Sequence, residues 1–280
     1  MSTATYTALA VKRLREETDA PMMECKTALE EAGGDFEKAK NILREKGKAA
    51  AAKRADRSTA AGVVAIAVSA DGRTAGAAVL ECETDFVARN EGFLATAQQL
   101  AAAFLASDPG AEPLKAKAGG KTVGEVIVEA VGKIRENIRL SKAVHLSTAN
   151  RFATYIHHDK LKGTIVEVAG EGDQALETGR QIAIQAVAFP PEVISKDEIP
   201  QSKIDAEMEV ETQRAINEGK DEKIAKNIAM GRINKEYLKR VVLLEQPFYR
   251  DPAISVGQYL KEHGGATIVG FTRLAVGEGG

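Results

Sequence analysis

The fold turns on Leu80-Glu81-Cys82-Glu83-Thr84-Asp85-Phe86-Val87-Ala88-Arg89-Asn90. Upstream lies the apolar run Ala77-Ala78-Val79-Leu80, after which Glu81-Cys82-Glu83 alternates; downstream comes a long helical pattern. A strand therefore ends here and a helix begins. Asp or Thr just before a helical run serves as an N-cap, because its side-chain oxygen accepts a free backbone N–H of the first turn. Asp85 suits that place, and its charge suits the positive end of the helix. Phe86 is then expected at the first helical position. Two readings of its ring stand side by side. Phe86, Phe93, Ala97, Leu100 and Phe104 recur at close to helical spacing, which makes the ring a core residue or a hydrophobic staple. Alternatively it is an exposed wedge for a partner.

Working outward, Val63 to Val68 and Thr74 to Glu83 read as two strands joined by a turn at Asp71-Gly72. Helices are expected at about 86–106 and 122–137, with a loop over 108–121. Leu140 to Leu146, Ala153 to His157 and Leu161 to Val168 read as further strands, followed by a helix from Asp173 to Ala188. Toward the N-terminus, residues 5–48 read as three short helices. The second places Met22, Cys25, Leu29 and Ala32 on one face; Asp35 caps the third. Lys46 to Arg57 is a basic connector. Residues 202–218 and 222–240 carry narrow apolar seams between charged flanks: Ile204, Met208 and Ala215 on one, Ile224, Ile228, Ile233 and Tyr237 on the other. That pattern suits an antiparallel helical hairpin of coiled-coil type. A last helix, Val256 to His263, and a strand, Thr267 to Val276, close the chain.

The expected class is α+β. A three-helix domain of ubiquitin-associated type covers 1–55. A core N-subdomain follows over 56–140 and a core C-subdomain over 141–200. The helical hairpin is inserted at 201–241, and the C-subdomain returns over 242–280.

The 280 residues carry 38 basic and 40 acidic side chains, a formal net charge of -2. That near balance argues against a protein built to hold nucleic acid. Cys25 and Cys82 stand apart among apolar neighbours and read as buried free thiols in a reducing compartment. No apolar run approaches the ~18 residues that span a membrane, and no signal-peptide pattern opens the chain. A cytoplasmic protein is expected.

Catalytic readings fail in turn. Gly120-Lys121-Thr122 imitates the end of a phosphate loop, but Lys115 stands where that loop needs its first Gly. The four His form no ligand pair and no Cys cluster has zinc spacing, so no metal or cofactor is expected. Glu81, Glu83 and Asp85 read as the wet face of a half-buried strand. What remains is a protein that acts by binding, not an enzyme.

Thr84-Asp85-Phe86-Val87-Ala88-Arg89-Asn90 resembles the signature of the bacterial elongation factor Ts family. Leu14-Arg15-Glu16-Glu17-Thr18 with Met22-Met23-Glu24-Cys25-Lys26-Thr27-Ala28-Leu29 resembles a second signature. Ile134-Arg135-Glu136-Asn137-Ile138 and Gln246-Pro247-Phe248 agree. The resemblance implies a guanine-nucleotide exchange factor for the GTPase elongation factor Tu, acting in translation elongation. It also implies that Thr84, Asp85, Phe86 and Val87 dislodge the partner's magnesium, and that Arg15, Met22, Met23, Lys26, Ile134 and His157 contact the partner. Arg135 stands where the family usually has Gly. A homodimer through the hairpin is a further expectation. The rival reading is an adaptor of ubiquitin-associated type, or a ribosome-associated binding module, without exchange activity.

Overall fold

A computed structural model describes residues 6–18, 20–263 and 266–278. The fold class is α+β, as expected. The chain divides into two compact units. Met1–Ala67, Ala75–Leu146 and Ala275–Gly280 form the first, and Val68–Thr74 with Ser147–Leu274 the second. Among the described residues, no helix is long and apolar enough to cross a membrane.

The first unit opens with helices α1 (Ala8–Thr18), α2 (Met22–Glu31) and α3 (Phe36–Ala52). Together they enclose Val11, Leu14, Cys25, Ala28, Leu29, Ala39 and Leu43. After α2 the chain turns through Gly33 and Gly34, both at positive φ, and the Gly34 N–H donates to Leu29 O (2.8 Å). Glycine takes that conformation without the Cβ clash other residues suffer. Asp35 caps α3 by accepting from the Lys38 N–H (3.0 Å). Met22 departs from the expected face. The buried stripe of α2 is Cys25, Ala28 and Leu29, while Met22 is half exposed. It stands at the first position of α2, one turn beyond the part of the stripe that the other helices cover. The basic stretch from Lys46 to Ala52 is the last part of α3.

A three-stranded sheet follows, built from β1 (Ala61–Val68), β2 (Thr74–Cys82) and, later in the chain, the strand Ile138–Ser147. β2 is central and buried from Ala75 to Cys82. After it come the single turn α4 (Asp85–Ala88) and the long helix α5 (Glu91–Ala106). The segment expected to be a loop holds a two-residue hairpin, β3 (Lys117–Ala118) with β4 (Lys121–Thr122). Helix α6 (Val123–Ile134) then starts with a reciprocal cap between Thr122 and Glu125. Ile138–Ser147 is β5. Phe93, Ala97, Leu100 and Phe104 of α5 pack with Leu80 and Cys82 of β2 and Val123, Val126 and Val131 of α6. Helix α3 crosses α6 where two glycines meet: a Cβ on Gly132 would lie 3.9 Å from the Cα of Gly47. Both cysteines are free and buried, Cys25 among the three helices and Cys82 in this core.

In the second unit, β6 (Arg151–Ile156) pairs antiparallel with β7 (Lys162–Ala169), Phe152 opposite Glu167 and Thr154 opposite Ile165. Helix α7 (Gly172–Ala188) packs across them, with Gly179 fitted against Val168 and Ala153. Helices α8 (Gln201–Asn217) and α9 (Glu222–Arg232) lie side by side, joined by a short turn and capped by Asp221. A π-turn over Ile233–Tyr237 leads to α10 (Leu238–Val241). The α8 seam is as read: Ala215 is buried, and Ile204 and Met208 are half-buried against Ile233 and Val241. The second seam holds at Ile233, which is buried, and at Tyr237, which packs with it, but not at Ile224. Ala225 and Ala229 are buried, and Ile224 is half exposed. Small residues let the helices approach closely, so the alanines displace the bulkier side chain from the contact. Gln246 ties the base of this hairpin, donating to Phe189 O (3.0 Å) and Arg240 O (2.9 Å) and accepting from Gln185 (2.9 Å). The strands β8 (Pro247–Phe248) and β9 (Asp251–Ser255), helix α11 (Val256–Glu262) and strand β10 (Thr267–Ala275) follow. β10 joins β7 at the sheet edge.

Candidate functional site

The two readings of Phe86 part here. Its side chain is 84% exposed, whereas Phe93, Leu100 and Phe104 are fully buried. The helix that the spacing predicts as continuous is broken. α4 ends at Ala88, Arg89 closes it, and Asn90 starts α5 as a fresh N-cap, accepting from the Gly92 N–H (2.9 Å) and Phe93 N–H (3.3 Å). The break takes Phe86 out of line with the stripe. The cap of α4 also differs from expectation. Thr84, not Asp85, accepts from the Val87 N–H (3.4 Å), which makes Asp85 the first helical residue and Phe86 the second. The one-turn helix buries Ala88 and packs Val87 on the core, so Phe86 faces outward. Asp85 pairs with Arg89 (3.1 Å) in full view of solvent.

What holds this turn comes from the chain after α6. The Glu83 and Thr84 N–H groups both donate to Oε2 of Glu136 (3.0 Å each), and the Thr84 hydroxyl donates to Oε1 (2.6 Å). The Asn137 N–H donates to Glu83 Oε1 (2.6 Å). Asn137 Nδ2 donates to Ala55 O (3.3 Å) and Arg57 O (2.7 Å). One step further, Arg139 pairs with Glu81 (2.6 Å). Partners therefore step in opposite directions along 81–84 and 136–139. Glu81 does not belong to a wet face. It is fully buried, because Arg139, the Thr59 hydroxyl (3.2 Å) and the Gly277 N–H (3.1 Å) all satisfy its carboxylate. Burial pushes the Cys82 thiol up to about 12, with the Glu136 charge adding to it.

Helix α6 stops at Ile134, three residues short of the expected end, because Arg135 adopts the left-handed conformation (φ 70°, ψ 15°). That geometry accounts for Gly being natural at this position. The Arg135 guanidinium donates to Glu24, which neighbours Met23 on α2. Adjacent residues thus fasten two candidate segments: Arg135 the second helix, Glu136 the Phe86 turn. Ile134 is half-buried and packs on the core beside them. Met23 is 67% and Met22 50% exposed; Arg15 and Lys26 are exposed too.

His157 belongs to the second unit. It lies just past the end of β6, half-buried, with Nδ1 3.0 Å from the Tyr155 hydroxyl. His158 follows it in the turn, the two rings 4.3 Å apart. Among the described residues, no group of three or more His, Cys, Asp or Glu side chains is placed to hold a metal. The site residue that sequence reading missed is Glu136. It was visible only as a member of the stretch Ile134–Ile138, with nothing to announce its distant partner.

The arrangement is a rigidly pinned, outward-facing aromatic with no reactive constellation beside it. The family pattern described as "Elongation factor TS" matches residues 83–278. The chain belongs to the elongation factor Ts family. The elongation factor Ts of Thiobacillus denitrificans is 43% identical over 99% of this chain and 93% of its own length. That of Aromatoleum aromaticum is 41% identical over 99% and 92%. That of Burkholderia multivorans is 43% identical, again over 99% and 92%. Family membership makes this a translation elongation factor.

Proposed function

We propose that this chain is a guanine-nucleotide exchange factor for elongation factor Tu. It speeds GDP release by binding, without covalent chemistry and without a cofactor of its own. The observation that carries this reading is Phe86. A large ring stands 84% exposed on a one-turn helix that is itself fixed from two sides, which is how a contact residue is presented rather than a loose surface side chain. Buried in a partner, such a ring removes about 150–250 Å² of surface from solvent.

In this reading Phe86 inserts between helices of the GTPase domain. Thr84 and Val87 hold the turn, and Asp85 fixes its first residue and faces the partner. The intrusion displaces the partner's magnesium. The ion's charge offsets that of the phosphates, so its departure weakens every remaining phosphate contact. Arg15, Met22, Met23 and Lys26 form a second contact, where flexible Met side chains suit an adaptable apolar fit. Ile134 lies next to both fastenings. His157 contacts the partner from the second unit, and the α8–α9 hairpin mediates self-association. The exposure of Phe86, outside the three N-terminal helices, favours exchange over an adaptor that would use those helices alone.

Linkage sets the thermodynamic condition. The factor must bind nucleotide-free Tu more tightly than the GDP form, and GDP then weakens the factor by the same ratio. The test is release of fluorescent GDP from the cognate Tu, with excess unlabelled nucleotide, in the presence and absence of this protein. Accelerated release supports the reading; an unchanged rate at saturating protein ends it.

A further inference from the structure

We propose that Glu136 is the positioning residue for the Phe86 turn, and that it sets the rate at which this protein drives nucleotide release rather than the affinity of docking. The inference rests on the exchange reading above. Its basis is the hydrogen bonding of one carboxylate. Glu136 accepts the N–H groups of Glu83 and Thr84 on one oxygen and the Thr84 hydroxyl on the other. Thr84 is also the N-cap of α4.

A four-residue helix has too few internal hydrogen bonds to hold itself. Its orientation must come from outside. Val87 and Ala88 anchor one side of the turn on the core. The other side is the strand exit at Glu83-Thr84, where the two backbone donors point away from any ladder partner and onto Glu136. Hydrogen bonds to an ionised acceptor are shorter and stronger than neutral ones. Glu136 is itself placed by its neighbours. Arg135 turns the chain in the left-handed conformation, and Asn137 is fixed on Glu83, Ala55 and Arg57. The carboxylate therefore reaches Thr84 from a preset backbone. The exposed ring inherits a defined direction from a residue far along the chain from itself. A wedge that wavers fills its pocket less often, and a small misplacement at a distance from the chemistry costs rate.

The test uses the full-length protein with cognate Tu loaded with fluorescent GDP. Release rates are measured against factor concentration for wild type, Glu136→Ala and Glu136→Gln. Glu136→Ala is expected to lower the maximal release rate about tenfold, with the half-saturating concentration within about threefold of wild type. Glu136→Gln keeps a carbonyl oxygen for the two backbone donors and an amide that can donate to the Thr84 hydroxyl. It is expected to recover most of the rate. Amide hydrogen exchange of the free protein supplies a readout independent of Tu: Glu83 and Thr84 should lose protection in Glu136→Ala and keep it in Glu136→Gln. Should the alanine variant not fold, Glu136→Asp, one methylene short of Thr84, replaces it with the same expectations. An unchanged maximal rate, or a variant that changes only the half-saturating concentration, overturns the proposal. Equal losses in the alanine and glutamine variants also overturn it. If wild type itself does not accelerate release, the exchange reading fails instead, while the amide protection still decides whether Glu136 holds the turn.

Discussion

Arg139 donates to one oxygen of Glu81 from both Nη2 (2.6 Å) and Nε (3.2 Å), and that carboxylate has no exposed surface. Burial alone would push the Glu81 carboxyl up. Arg139, the Gly277 N–H and the Ser141 hydroxyl outweigh it, and its pKa falls below the ordinary value. A lowered native pKa contributes stability that is complete above the unfolded value and is lost as pH falls through the native one. Removing Arg139 leaves burial in command, so the native pKa should rise instead. Arg139→Ala is expected to cost about 1–2 kcal/mol at neutral pH, a figure discounted because solvent reaches half of the arginine side chain. The deficit relative to wild type should shrink as pH falls, first through the raised pKa of the unpaired carboxyl and then through the lowered pKa of the wild type. Urea unfolding at several pH values measures this, and a deficit that does not vary with pH would refute it.

Phe86→Ala should separate stability from function. The ring contributes nothing to the core, so unfolding free energy is expected to stay within about 0.5 kcal/mol of wild type. Stimulated GDP release should fall about tenfold or more, as for a central interface residue. Loss of stability with unchanged release would reverse the assignment of the ring from partner contact to packing.

Arg135 holds a left-handed conformation at the end of α6 that costs a side-chain-bearing residue about 1 kcal/mol. Replacing it by Ala and by Gly removes the same ion pair with Glu24, so the two variants differ mainly in backbone strain. Arg135→Gly is expected to be more stable than Arg135→Ala by about 1 kcal/mol, although Ala is the better helix former. Paired denaturation curves give the difference, and the opposite order would show that the conformation is not retained.

Two glycines should respond in opposite senses to the same added methyl group. On β2, a Cβ at Gly76 would lie 2.0 Å from Leu105 N and 2.4 Å from Ala101 O, both backbone atoms of α5. Gly76→Ala must push the strand and helix apart and is expected to destabilise by about 3 kcal/mol or more. Inside α3, a Cβ at Gly47 meets nothing within 4 Å. Gly47→Ala is expected to stabilise by about 0.5–1 kcal/mol. Thermal unfolding of the two variants checks both signs.

Periodicity reached most elements because each buries a stripe of its own. The α5 stripe Phe93, Ala97, Leu100 and Phe104 is an example, and so are the strands β6 and β7. Phe86 fits the same arithmetic and escaped it, because two caps, Thr84 and Asn90, reset the helix between them. Capping is written in single polar residues, and a spacing rule does not weigh them. Glu81 was misread for a related reason. Alternation assigns it to the solvent side, but that side is occupied by Arg139 and by Gly277, 196 residues away. Met22 shows the converse: it has the right spacing but stands at the end of its helix, where it stays half exposed. The exposed ring itself followed from the signature; the carboxylate that aims it is set by a contact 52 residues apart, which no local pattern encodes.

The two thiols give each half of the first unit its own clock. Cys25 sits within the helical cluster and Cys82 in the strand beneath the Phe86 turn, and burial raises both above the ordinary thiol value. Alkylating reagents attack the thiolate, so neither site reacts while its surroundings stay shut. The speed at which each is modified counts how often that region opens, and it does so in the native sequence, without a dye or an introduced cysteine.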